Sequence, residues 1–290
     1  MNDEQLKREL PFDLFGRYAI IRDIINVNRK DAERFKVLDV GGRGNMMKKF
    51  LPGDAVFYMD PLVESKDENF IKGDGCAMPL EDESFDWVVS ADVFEHIPEE
   101  KREDFLKENT RVAKLGAVLA APFDSAEVRQ AEINANENYK ILSGGEDYIW
   151  LKEHIPNGLP KEKDIENFLK SKGFDFQKLH SSGILVWEIL QIINFFMEKN
   201  PYENMKKEFG DFNFFYNSEV FPHDSVESSY RKIYFIKKDA RLKNLEMKSE
   251  PVSDLLFLDI VKRAMDLVGK IDAENKKIIR EKDQKISELD

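Results

Sequence analysis

Phe35–Asn45 reads FKVLDVGGRGN, and a second stretch, Val56–Leu62, reads VFYMDPL. The first is a short apolar run, Val37 to Val40, that stops at Gly41, Gly42 and Gly44 and then restarts with helical character. An apolar run punctuated by glycines in this way reads as strand, tight turn, helix. The second is another strand ending on an acid, Asp60. It lies roughly 20 residues beyond Gly41, the spacing at which an acid at the tip of the second strand meets the ribose of a bound nucleoside. Glycines in the turn let the backbone approach a ligand that a Cβ would keep away.

The glycines do not make a dinucleotide fingerprint. Counting G-x-G-x-x-G from Gly42 puts the third glycine at Met47, and counting from Gly41 puts Arg43 in the second glycine slot. An acid just before the turn, Asp39, suits a cationic ligand better than a pyrophosphate. With Asp39, Gly41 and a shifted Gly44, the chain resembles the class I S-adenosylmethionine-dependent methyltransferases, whose first motif runs Asp-x-Gly-x-Gly-x-Gly. Arg43 and Asn45 stand where glycines are usual. The stretch Met78–Pro98, MPLEDESFDWVVSADVFEHIP, carries the resemblance further, to the methyltransferase type 11 group. Its Trp87–Ser90 run is a fourth strand that ends at Ala91-Asp92, where ligands bind at the carboxyl ends of strands in open α/β sheets.

The resemblance implies an α/β fold: a Rossmann-like, seven-stranded, mostly parallel sheet with helices on both faces. It also implies S-adenosylmethionine as cofactor. Asp60, with Pro61 beside it, is assigned to the ribose hydroxyls. Asp74, on which a third strand starting at Phe70 ends, and Gly75 and Cys76 after it are assigned to the adenine. Gly41, Gly42 and Gly44 shape the turn under the methionine half, and Asp39 holds that turn. Asp92 lines the cofactor or acceptor pocket. Phe12–Val27 reads as a helix from its apolar spacing; Arg17 and Tyr18 on it either reach the cofactor carboxylate or belong to a helix that only packs on the sheet. His154 and His96 are the candidate bases. The pair Glu95-His96 has the alternative of simply holding its loop by hydrogen bonds. No metal site is assigned.

Strand and helix alternate over residues 37–122, the pattern of a parallel sheet. The helix after Pro98 is expected to run through 107–114 and end at Gly116. Residues 1–12 are expected to fray. A sixth strand is expected at 175–180, followed by an apolar helix at 184–198 and a last strand at 230–236, antiparallel beside the sixth. Cap insertions near 124–160 and 182–229 complete a domain spanning 1–240. The segments "EH…NGLP", "FYN…D" and "SYRK-Y" resemble a subset of these enzymes found with glycosyltransferases. That resemblance implies a sugar, glycan or other small-molecule acceptor, and O-methylation. Phe212 and Phe215 are read as cap core.

Residues 254–290 read as one long helix with apolar positions at Leu258, Val261, Met265, Val268, Ile271, Ile278, Ile279, Ile286 and Leu289. It is either a short coiled coil, giving a homodimer, or a solvated helix packed over its first half. The 290 residues carry a net charge of −12, which disfavours general nucleic-acid binding. One cysteine, Cys76, excludes a disulfide framework and a cysteine-built zinc site. No apolar run reaches the roughly 18 residues of a membrane helix, so the expected location is cytoplasmic. A second reading keeps the fold but makes the chain an S-adenosylmethionine-binding scaffold without turnover, recruiting partners through the C-terminal helix.

Overall fold

The computed structural model describes residues 2–200, 203–247 and 251–287. Helix α1 (Asp3–Glu9) and α2 (Phe12–Val27) precede strand β1 (Lys36–Val40), the short helix α3 (Met46–Phe50), β2 (Ala55–Asp60), β3 (Phe70–Lys72) and β4 (Phe85–Ala91). Then come α4 (Arg102–Val112), β5 (Ala113–Pro122), α5 (Ala126–Ser143), α6 (Ile149–Asn157), α7 (Glu162–Ser171) and β6 (Asp175–Gly183). Helices α8 (Ile184–Lys199) and α9 (Lys206–Phe215), strand β7 (Ser229–Lys237) and helix α10 (Asp254–Ser287) complete the chain.

The seven strands form one sheet in the order β3-β2-β1-β4-β5-β7-β6. β1 to β5 are parallel, and β7 runs antiparallel between β5 and β6. The chain winds outward from β1 through β2 to β3, then returns to the other side of β1 with β4. This is the strand-order reversal at which α/β sheets open a crevice. β1 and β4 are buried on both faces, Leu38 and Val88 toward one core and Val37, Trp87 and Val89 toward the other. That explains their unbroken apolar sequences.

Several expected boundaries move. Residues 2–12 do not fray: Asn2 and Gln5 form a capping box on α1, and Leu6 and Leu10 are buried. The side chain of Asn217 donates to the carbonyls of Lys7 and Leu10, fastening the segment to the cap. The third strand stops at Lys72, and Asp74 instead forms a turn bridged to Ala77. The helix expected to end at Gly116 ends at Val112. Gly116 lies inside β5, paired with Lys237, because the strand must begin early to span the length of β7. β6 extends to Gly183, since its whole length pairs with β7. The helix after the glycine turn has only five residues. Phe12–Val27 is a helix as expected, and Phe212 and Phe215 are buried in the cap core.

The cap is helical. α5 packs on α8, and α8 and α9 receive α10. The buried positions of α10 are Ile260, Ala264, Leu267 and Ile271, in alternating steps of four and three. Leu258 and Met265, expected on the apolar stripe, are exposed instead. Packing over the first half is therefore what the described residues show, with the regular seam used inside the chain; Leu289 lies outside them. No described helix is long and apolar enough to cross a membrane.

Tyr216, Asn217 and Asp224, polar positions of the glycan-linked resemblance, hold the cap together. Tyr216 donates to Asp224 Oδ2 at 2.7 Å, and the Gly183 N–H donates to its Oδ1 at 2.8 Å. Burial pushes the Asp224 carboxyl up to about 7 against those two hydrogen bonds. A folded-state pKa above the unfolded value means the folded chain binds more protons between about pH 4 and pH 7. This group's contribution to stability therefore falls as pH rises through that window. Asp224→Asn removes the effect, so it should gain on the wild type from pH 5 to pH 8 by at most about 1.4 kcal/mol per pH unit. Urea midpoints at the two pH values check this; an unchanged difference would refute it.

Candidate active site

The carboxyl ends of β1, β2 and β4 and the cap helices enclose one cavity of about 680 Å3, within the ~300–1,000 Å3 range of small-molecule sites. Its sheet end is built by the turn after β1. The φ of Gly41 is +79°, and a Cβ there would stand 2.3 Å from the Val93 side chain. A Cβ on Gly42 would stand 2.3 Å from Asp39 Oδ2. The turn thus needs both glycines to lie flat over the end of β1, where the Gly41 N–H donates to the Met59 carbonyl at 2.7 Å. Asp39 is fully buried beneath it. Burial raises its carboxyl to about 7, while the Tyr18 hydroxyl and the Arg17 guanidinium act in the opposite direction.

Asp60, at the tip of β2, accepts from the N–H groups of Leu62 and Val63 through Oδ1, at 2.7 and 3.1 Å. Its Oδ2 lies 3.4 Å from Arg43 Nε. The Arg43 guanidinium also sits over the Trp150 ring, 5.2 Å from its centroid. The residue that departs from the glycine motif thus ties the turn to the cap. Asp74 accepts from the Cys76 N–H at 2.9 Å.

Asp60, Pro61, Asp74, Gly75, Gly41, Asp92, Arg17, Tyr18, His96 and His154 all line the cavity. Asp39, Gly42, Gly44 and Cys76 do not; the first two support the turn from below. The Cys76 thiol is pushed up to about 12 by burial and by Asp74, which leaves it a packed thiol rather than a nucleophile.

Asp92 has a left-handed backbone, φ 53°, that aims its carboxylate inward. Arg231 Nε donates to it at 2.6 Å, and Arg231 Nη2 donates to Asp13 at 2.8 Å. Arg17 pairs with both acids. This four-charge cluster forms the middle of the cavity floor, and it already engages Arg17.

The cap end comes from α6 and from one face of α8. Trp187, Gln191, Asn194 and Glu198 repeat at helical spacing and face the cavity. Tyr230 stacks on Trp187 at 3.8 Å. His154 is 7% exposed; its Nδ1 lies 2.8 Å from Glu132 Oε1, which also accepts from the Tyr230 hydroxyl at 3.0 Å. His154 Nε2 has no partner among the described residues. The His96 ring stands 5.0 Å from the His154 ring, and burial together with that imidazole lowers its pKa. Glu95 is 2% exposed, and burial beside Asp92 raises its carboxyl well above the usual range. Sequence reasoning missed Glu132, Trp187 and Glu198, because nothing in an amphipathic or apolar helix marks which residue meets a distant loop.

Leu38 to Ala121 match the family described as methyltransferase domain. No curated protein matches the chain. Among solved structures, the chain is similar to an S-adenosylmethionine-dependent methyltransferase from Thermotoga maritima, described as a possible histamine N-methyltransferase. That similarity has 16% identity and a TM-score of 0.45, over 79% of this chain and 93% of that one. It is also similar to magnesium protoporphyrin IX methyltransferase from Synechocystis PCC 6803, solved with bound S-adenosylhomocysteine. Here the identity is 13% and the TM-score 0.44, over 77% and 84%. At these values each acceptor is a property of that protein alone. Residues 38–121 are a methyltransferase domain, and the sheet around them has the class I topology. Magnesium protoporphyrin IX methyltransferase is also solved with bound S-adenosylmethionine.

The residues present fit that cofactor. A Cβ at Gly41 or Gly42 would collide with Val93 or Asp39 and lift the turn, carboxylates stand at the end of β2 and in the turn after β3, and the cavity wall is rich in acids, which suits a sulfonium.

Proposed function

We propose that the chain methylates a hydroxyl oxygen of a sugar, glycan or other small molecule seated under the cap. The observation that carries this reading is that one continuous cavity joins the Asp60 and Asp74 carboxylates to a buried imidazole, His154. In this reading Asp60 receives the ribose hydroxyls, Asp74 the adenine, and the Gly41–Gly44 turn the methionine half. S-adenosylmethionine supplies an electrophilic methyl on a sulfonium. The chain's own part is to hold the acceptor in line with that methyl, which can supply ~7–11 kcal/mol of the barrier. Trp187, Tyr230 and Trp150 offer apolar faces suited to a sugar ring. His154, oriented by Glu132, and His96 mark where the hydroxyl loses its proton.

His154→Gln should lower kcat about 10²–10⁴-fold and leave cofactor affinity unchanged; an unaltered kcat would remove the histidine from the reaction. The acceptor class is tested by incubation with S-adenosylmethionine and a panel of nucleotide sugars and glycan fragments. Mass spectrometry should show a methyl gain on one of them. Cofactor binding without a methyl gain across the panel would withdraw the sugar assignment. A homodimer through α10 belongs to the same reading, with exposed Leu255, Leu258 and Met265 as its contact face; sedimentation showing only monomer would exclude it.

A further inference from the structure

We propose that Glu95, His96 and His154 form a binding site for a divalent first-row transition cation at the cap end of the cavity. Ligand atoms of the three side chains lie within 4.8 Å of one another. Two ligands about 2.1 Å from one ion stand at most about 4.2 Å apart. Three ligands around one such ion stand about 3.4–3.6 Å apart, so closing the site takes side-chain movements of about an ångström.

Three observations favour a cation over a lone imidazole base. First, both histidines are backed by carboxylates at Nδ1. His154 Nδ1 lies 2.8 Å from Glu132, and His96 Nδ1 lies 3.0 Å from Glu153, off the axis of a straight hydrogen bond. A carboxylate behind each imidazole fixes its orientation and turns Nε2 inward, the outer-shell arrangement that accompanies metal-ligating histidines. Second, Nε2 of His96 faces Glu95 Oε1 at 3.9 Å. His154 Nε2 and Glu95 Oε2, both on residues more than nine-tenths buried, have no partner among the described residues. A base needs one free nitrogen, whereas two imidazoles and a buried carboxyl group that converge on one point make up a ligand set for a cation. Third, Arg17 and Arg231, the nearby buried cations, are engaged by Asp13 and Asp92.

Two imidazoles and one carboxylate with positions left open suit zinc, manganese, iron or cobalt, and suit magnesium poorly. The open positions face the cavity. On the O-methyltransferase reading, on which this role rests, an acceptor hydroxyl bound there loses its proton more readily, and that proton leaves to water. The freed oxygen lone pair takes the methyl, and the sulfonium becomes a neutral thioether.

The test is calorimetric titration of chelator-treated full-length protein with Zn2+, Mn2+ and Mg2+, alongside visible absorption with Co2+. One equivalent of Zn2+ or Mn2+ should bind, Mg2+ should bind much more weakly, and Co2+ should give ligand-field bands. His154→Gln and Glu95→Gln should weaken binding at least about a hundredfold. Glu132→Gln should weaken it about 10- to 100-fold. Absence of bands and heat in the wild type, or unchanged affinity in both ligand variants, would overturn the site. S-adenosylmethionine titrated separately keeps the two readings apart. Metal binding without cofactor binding sinks the methyltransferase reading alone, and the reverse sinks this one.

Discussion

Asp60→Asn is expected to weaken S-adenosylmethionine binding about 10- to 100-fold while the unliganded protein melts at the wild-type temperature. A hydrogen bond to a charged group contributes ~1.5–3 kcal/mol, and each 1.4 kcal/mol is about tenfold in affinity. Asparagine keeps the oxygen that receives the Leu62 and Val63 N–H groups, so the loop after β2 stays in place. It loses the negative charge on the oxygen facing the cavity. Asp60→Ala removes both functions and should weaken binding further. Calorimetry on the two variants separates charge from loop geometry, and wild-type affinity in Asp60→Asn would remove the carboxylate from the cofactor site.

Arg231→Met is expected to cost about 3–5 kcal/mol of stability, the range for breaking a buried pair and leaving charge uncompensated. Arg231 is fully buried and bonds Asp92 and Asp13. Those contacts hold its own pKa well above the usual arginine value and that of Asp13 well below the usual carboxylate value. Without the guanidinium the two acids repel in a dry environment, and the Asp13 pKa rises from its lowered value. The folded variant then binds more protons than the unfolded chain, so its deficit should shrink as pH falls from 8 toward 5. Urea unfolding at both pH values checks this. A loss below about 1 kcal/mol, or one independent of pH, would show that the cluster is not held by charge.

How much of this was legible in the sequence follows from where each residue sits. The parallel half of the sheet was readable because buried strands must be continuously apolar and must end at turns, as VLDVGG and WVVSAD do. Asp60 was readable because strand tips project into the crevice by topology alone, whereas Asp74 lies in the turn two residues beyond β3. Helix ends were less so. Gly116 has the local look of a helix stop, yet β5 claims it for pairing with β7, a contact between residues more than a hundred positions apart. The order of the N-terminal segment is hidden from the local sequence for the same reason, since Asn217 and the cap anchor it. His154 was picked out from its motif, but Glu132 behind it and Trp187 beside Tyr230 depend on how cap helices dock. Docking is decided by tertiary packing rather than local pattern. The phase of the seam on α10 was likewise set by what α8 and α9 offered it.

The most direct test of the central claim is a crystal structure of the protein with S-adenosylhomocysteine. The account predicts its ribose hydroxyls on Asp60, its adenine beside Asp74, and its homocysteine half over the Gly41–Gly44 turn, with the sulfur facing the cap. A crevice filled by the chain's own side chains, with the nucleoside absent or bound elsewhere, would contradict it.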